Sequence, residues 1–223
     1  MSALAGVLFD MDGTLLDSEK LWDIAIRELA EDLGGRMTDE LRHSLIGSSG
    51  PNALRTIFAS LDLHPYPAAL ADAGRWLDNR VTTLFENGIP WRPGAKDALA
   101  LVRDSGLRTA LVTNTTRSLT EYGLDTLGRE FFDVTVCGDE VAEGKPAPDP
   151  YQRGLDLLGL DASECLAIED SPTGTASARA AGCAVVVIPC EIDVPDGPGR
   201  TFRDSLVGLT IADLHDALDH NSL

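Results

Sequence analysis

Four groups of polar residues, far apart in the chain, could work together if a fold gathered them. They are Asp10-Met11-Asp12-Gly13-Thr14, Thr113-Asn114, Gly138-Asp139-Glu140 with Lys145 a little further on, and Glu169-Asp170. Brought close, the carboxylates of Asp10, Asp12, Glu169 and Asp170 would repel one another strongly. Oxygen ligands with no His or Cys among them suit a hard cation such as Mg²⁺, which keeps part of its water shell and leaves positions open for a phosphate oxygen. A carboxylate attacking a phosphate dianion needs such a charge beside it, and Lys145 offers a second positive point. Thr113 adds a hydroxyl donor, and Gly13 lets backbone N–H groups approach a phosphoryl oxygen. The chemistry that uses such a set is phosphoryl transfer through an aspartyl-phosphate.

Each group must then sit at the end of an element that can aim it. Residues 4 to 9, LAGVLF, are a short apolar run that ends at Asp10, as expected of a strand buried on both faces of a parallel sheet. Further strands are expected over 108–112, 134–137, 165–168 and 184–188, alternating with helices over 95–105, 117–127, 150–158, 173–181 and 211–218. That alternation predicts an α/β fold, a doubly wound parallel sheet with helices on both faces. Ligands bind such sheets beyond the carboxyl ends of the strands, where all four groups fall. Residues 18–88 read differently. Trp22, Ile26, Leu29, Ala30 and Leu33 recur at helical spacing, Thr38 starts a second helix, Gly47-Ser48-Ser49-Gly50-Pro51 breaks it, and helices follow over 52–61 and from Pro67 to about residue 87. An all-helical insert therefore interrupts the sheet after its first strand. The stretch 191–200, rich in Pro and Gly, is expected to be surface loop.

Composition limits the partners. The 223 residues include 18 Lys and Arg against 36 Asp and Glu, a formal charge of −18, which opposes attraction to nucleic acid or to an anionic membrane surface but not to a small phosphorylated metabolite. With 43% hydrophobic residues there is material for a sizeable core. The N-terminus has no basic region ahead of an apolar segment, and no 18-residue apolar run occurs, so a cytoplasmic protein is expected. Cys137, Cys165, Cys183 and Cys190 lack CxxC spacing and read as small hydrophobes with no assigned chemistry.

DMDGTLLDS at 10–18, LVTNT at 111–115, Lys145 in GKPAPDPY and IEDSPTG at 168–174 resemble the four ordered motifs of the haloacid dehalogenase (HAD) superfamily, in its phosphatase and β-phosphoglucomutase-like branch. Taken singly, Asp12-Gly13 would pass for a turn, and Thr113-Asn114 or Glu169-Asp170-Ser171 for helix caps. Their order, after the right elements, carries the resemblance. It implies a Rossmann-like core over 1–17 and 89–223 and a small helical cap domain over 18–88. It also implies that Asp10 is the nucleophile and a Mg²⁺ ligand. Asp12 would protonate the leaving oxygen, then activate water, and ligate the metal through its backbone carbonyl. Asp170 would complete the metal ligands, with Glu169 either ligating or holding metal waters. Thr113, Asn114 and Lys145 would bind phosphate. Asp139 and Glu140 are either outer supports of the metal or solvated loop acids, and Asp17 and Ser18 join core to cap.

Mutases of this branch resemble a pattern with His shortly after the DS pair and an Arg in the first cap loop. Here the first position is Trp22 and the loop is Gly47 to Pro51, which favours hydrolysis over mutase chemistry. Dehalogenation would leave Asp12, Glu169 and Asp170 without a purpose, and phosphonate cleavage would rest on Lys20 alone. A non-catalytic phosphate binder would need neither Asp10 nor Asp12. The leaving group is expected to meet Trp22, Ser48, Ser49 and one of Arg75 and Arg80, which points to a small sugar or polyol phosphate. Trp22 either stacks on that group or packs in phase with Ile26 and Leu29. A sheet and cap contained in one chain need no second subunit, so a monomer is expected.

Overall fold

The computed structural model describes residues 3–219. Its centre is a six-stranded, wholly parallel sheet in the order β3-β2-β1-β4-β5-β6, with β1 at Gly6–Phe9, β2 at Arg108–Val112, β3 at Val134–Val136, β4 at Cys165–Glu169, β5 at Ala184–Val187 and β6 at Arg200–Phe202. Side chains alternate across the strands. Val7, Phe9, Leu111, Leu166, Ile168 and Val186 enter one buried cluster, whereas Leu8, Ala110, Val112, Ala167, Val185 and Val187 enter another on the opposite face. Burial on both faces explains why these strands read as continuous apolar runs.

The helices that cover the sheet are α5 (Ala95–Asp104), α6 (Arg117–Leu127), α7 (Asp149–Leu158), α8 (Pro172–Ala180) and α9 (Ile211–Asp219). Between β1 and β2 come α1 (Glu19–Asp32), α2 (Asp39–Leu45), α3 (Gly50–Ser60) and α4 (Pro67–Phe85), so the insert is helical as expected. It leaves and rejoins the sheet along one paired connection: Asp17 N–H donates to Pro90 O at 2.8 Å, and Arg92 N–H to Leu15 O at 2.8 Å. Thr38 caps α2 by accepting from Leu41 N–H at 3.2 Å. No helix among the described residues is long and apolar enough to cross a membrane.

Two expectations need correction. Gly50 and Pro51 lie in the first turn of α3 and not in the break before it, because proline is suited to the start of a helix, where its missing N–H costs nothing. The stretch expected as loop ends in β6, which runs along the sheet edge beside β5. At three residues, buried on neither face, β6 has no apolar run to announce it. Its pairing partner is what makes it a strand.

Candidate active site

The parallel register sets the site. Phe9 pairs with Leu111 on one side and Ile168 on the other, so Asp10, Thr113 and Asp170 emerge at one edge. The strand order reverses direction about β1, the crevice where open α/β sheets bind ligands. The chain beyond each strand is anchored by its neighbour: Asp10 N–H donates to Ile168 O and Thr113 N–H to Val136 O, both at 3.0 Å. Gly13, at φ +84°, turns the chain under Asp170, and a Cβ there would overlap the Asp170 carboxylate. On the far side Ser171 caps α8, accepting from Gly174 N–H at 3.0 Å, which pins the turn carrying Glu169 and Asp170.

Lys145 is 3% exposed, and its Nζ donates to Asp10 Oδ1 and to Glu169 Oε1, each at 2.6 Å. Glu169 is fully enclosed. Its Oε1 also accepts from the Tyr151 hydroxyl at 2.7 Å, and its Oε2 from Asp170 N–H at 3.2 Å and Ser171 Oγ at 3.4 Å. Tyr151 lies beneath Lys145, with Nζ 5.1 Å from its ring centre. Burial pushes the Asp10 carboxyl up from 3.8 to about 8; Lys145 opposes this, and repulsion from Glu169 and Asp12 adds to it. Asp170 is held well above the carboxylate range, first by burial and then by the neighbouring acids. Burial works against the Lys145 charge, but Asp10 and Glu169 outweigh it and hold the ammonium protonated.

Asp10 Oδ2 is buried and has no hydrogen-bond partner. Ligand atoms of Asp10, Glu169 and Asp170 lie within 4.8 Å of one another. An orphaned oxygen among three close carboxylates fits an oxygen-seeking cation. Glu169 already receives four donors, so Asp10 and Asp170 are the better placed to face one directly.

Asp12 points elsewhere. Its Oδ1 accepts from Ser18 Oγ at 2.6 Å and Trp22 Nε1 at 3.2 Å, and its Oδ2 from Thr113 Oγ1 at 3.2 Å and Thr115 Oγ1 at 2.8 Å. Trp22 thus packs edge-on against Phe85, with ring centres 6.2 Å apart, and also ties α1 to Asp12. Above this floor of strand ends lies a cavity of about 270 Å³, roofed by α1 to α4. Asp10, Asp12, Thr113, Asn114, Lys145 and Asp170 line its floor, and Trp22 and Ser48 its roof.

Other expectations fall differently. Asn114 lines the cavity, but its amide is engaged: Nδ2 donates to Gly47 O at 3.0 Å and Lys145 O at 3.1 Å, while Oδ1 accepts from Lys145 N–H at 2.8 Å. Ser49 does not line the cavity; it precedes α3 and lies against the loop that carries Lys145. Arg75 and Arg80 are occupied on the outside with Asp72 and Glu28. Glu140 pairs with Arg117 at 2.8 Å and Asp139 accepts from Arg117 N–H at 2.8 Å, so neither joins the carboxylate cluster. The four cysteines are free thiols; burial raises Cys137 to about 11 and the other three to about 12. The sequence reading passed over Thr115 and Tyr151, although both stand inside quoted motifs. It also passed over Arg42, which lines the roof while bonded to Glu19, because nothing local marks a pair 23 residues apart.

Residues 7–188 match the model of the haloacid dehalogenase-like hydrolases. The chain belongs to this family. The protein CbbY of Rhodobacter capsulatus is 36% identical over 196 residues, covering 84% of this chain and 86% of that protein. Hexitol phosphatase A of Escherichia coli is 32% identical over 194 residues, 85% of each chain. Among solved structures of the family, a mutant of CbbY from Rhodobacter sphaeroides in complex with xylulose-(1,5)bisphosphate superposes with a TM-score of 0.84 at 31% identity, over 95% of this chain and 99% of that one.

Proposed function

We propose that this hydrolase is a Mg²⁺-dependent phosphatase that cleaves a small sugar or polyol phosphate by way of a phosphorylated Asp10. The observation that carries the reading is the division of labour between two aspartates two residues apart. Asp10 is buried at 6% exposure beside Lys145, with one oxygen unpartnered. Asp12 lies at the cavity wall among hydroxyl and indole donors. An Asp10 oxygen attacks phosphorus, and the bond from phosphorus to the ester oxygen breaks. Asp12 gives that oxygen a proton, releasing the alcohol. Asp12 then takes a proton from the water that attacks the phosphoryl group, and inorganic phosphate and free Asp10 are restored. Lys145 holds a phosphoryl oxygen, Thr113 does so once its hydroxyl turns from Asp12, and the Asn114 amide fixes the loop on which Lys145 stands. Asp10 and Asp170, backed by Glu169, would hold the Mg²⁺, which when bound neutralises charge on the incoming phosphate.

In this reading residues 18–88 form a cap over a core of 1–17 and 89–223, and the paired connection at Leu15–Asp17 and Pro90–Arg92 is the hinge between them. One chain supplies both floor and roof, so the unit works as a monomer. The names of the hexitol phosphatase and of the CbbY complex with a sugar bisphosphate support a phosphorylated carbohydrate as the ligand. Mutase chemistry would use the same intermediate, but the donor-only indole of Trp22 supplies no titrating group beside Asp12. The test is release of p-nitrophenol from p-nitrophenyl phosphate in the presence of Mg²⁺, lost with excess chelator and in Asp10→Asn. Beryllofluoride should form its adduct on Asp10. Full turnover in chelator, or an adduct on another residue, would overturn the proposal.

A further inference from the structure

The roof of the cavity is mostly apolar, with Trp22, Ile26, Leu45, Leu54 and Leu77 on its walls. Its charged lining residues are Glu19, Arg42 and Asp78. Arg42 is 3% exposed; its Nη2 donates to Glu19 Oε2 at 2.7 Å and to Glu19 O at 3.1 Å. Its Nε lies 3.1 Å from Asp23 Oδ1 and is buried there, with no surface open to the cavity. The Arg42 charge is therefore already answered by two carboxylates.

Asp78, on α4, presents a carboxylate to the same cavity and forms no hydrogen bond or ion pair with any described residue. Burial raises its carboxyl above the usual range, with repulsion from Asp139 adding to the effect. A half-buried carboxylate with no protein donor beside it is open to a donor on a ligand in the cavity. With the Arg42 charge met by Glu19 and Asp23, the unpaired Asp78 carboxylate would repel a second phosphate placed there, whereas a hydroxyl group can donate to it.

We propose that Asp78 sets the substrate class: a phosphate monoester whose remainder is uncharged and carries hydroxyl groups, with a second phosphate disfavoured. This rests on the phosphatase reading above and narrows it. It also sets the chain apart from the Rhodobacter sphaeroides relative that holds a bisphosphate.

The experiment compares kcat/KM for a hexitol monophosphate, hexyl phosphate and the corresponding hexitol bisphosphate, in the wild type and in Asp78→Asn, with p-nitrophenyl phosphate run alongside. The wild type is expected to favour the hexitol monophosphate over each of the other two by about 10-fold or more, the size of effect that one like-charge or lost hydrogen-bond term produces. Asp78→Asn, which removes the charge at constant shape, should narrow both gaps several-fold, chiefly through KM. A wild type that turns over the bisphosphate or the alkyl ester as well as the monophosphate overturns the proposal, and so do gaps unchanged in a folded Asp78→Asn. The wild-type comparison decides even if the variant does not fold. Release from p-nitrophenyl phosphate without the expected order sinks only this assignment; no release from any ester sinks the phosphatase reading and this assignment with it.

Discussion

The floor and the roof of the cavity are built on different principles. The floor gathers Asp10, Lys145, Glu169 and Asp170 within a few ångströms and buries them, held by bonds among themselves and from Tyr151 on α7. The roof is a helical surface with wide apolar walls and a few polar groups, among them Asp78, whose carboxylate has no partner among the described residues. Charges crowded this closely are tolerated only where their mutual attraction and a bound cation offset their desolvation, so little about the floor can vary. A helix face can change one side chain at a time at small cost. In the proposed reading the floor sets the reaction and the roof sets what is reacted.

The sharpest way to break that contrast is Lys145→Met. It leaves Asp10 and Glu169 without their shared cation, and turnover should fall by about 10²- to 10³-fold. Stability in a urea titration should fall by about 3–5 kcal/mol, the usual cost of removing one partner of a buried ion pair. A variant as stable as the wild type would mean that the floor is not electrostatically coupled. Tyr151→Phe removes one charge-assisted donor from Glu169 and keeps the ring under Lys145. It should destabilise by about 1.5–3 kcal/mol and raise the Mg²⁺ concentration needed for half-maximal activity. Normal metal dependence would reduce Tyr151 to packing. Trp22→Phe keeps the edge contact with Phe85 but loses the indole bond to Asp12. Turnover of esters with poor leaving groups should fall about 3- to 10-fold more than that of p-nitrophenyl phosphate, as expected when a general acid is less well aimed. Equal losses for both would show that the indole does not aim Asp12. Smallest of all, Arg117→Gln cuts a partly exposed bidentate pair with Glu140 and the bond to Glu121, and unfolding should shift by about 1 kcal/mol with turnover unchanged. A large loss of turnover would return Asp139 and Glu140 to the site.

The floor was readable from the chain because its residues follow apolar runs directly: LAGVLF ends at Asp10 and CLAI at Glu169, so knowing the strands places the acids. The helical insert was equally readable from its spacing. β6 was not, because a three-residue edge strand exists through its partner and not through any pattern of its own. Nor was the fate of Asn114, whose amide binds two loops that meet only in the folded molecule. Arg75 and Arg80 show the same limit from the other side. Their types suited phosphate, but their positions on α4 turn them outward to Asp72 and Glu28.

The order of short apolar strands and the acids behind them determined the sheet, its reactive edge and the kind of chemistry, because side-chain alternation and strand ends are local properties of the backbone. Only the tertiary structure decided which groups line the cavity above the strand ends. That depends on how helices 23 or more residues apart settle against one another, as Glu19 and Arg42 do, and on which carboxylates find a partner when they do. Asp78 was one acid among 36 in the sequence; the fold alone leaves it unpaired inside the cavity.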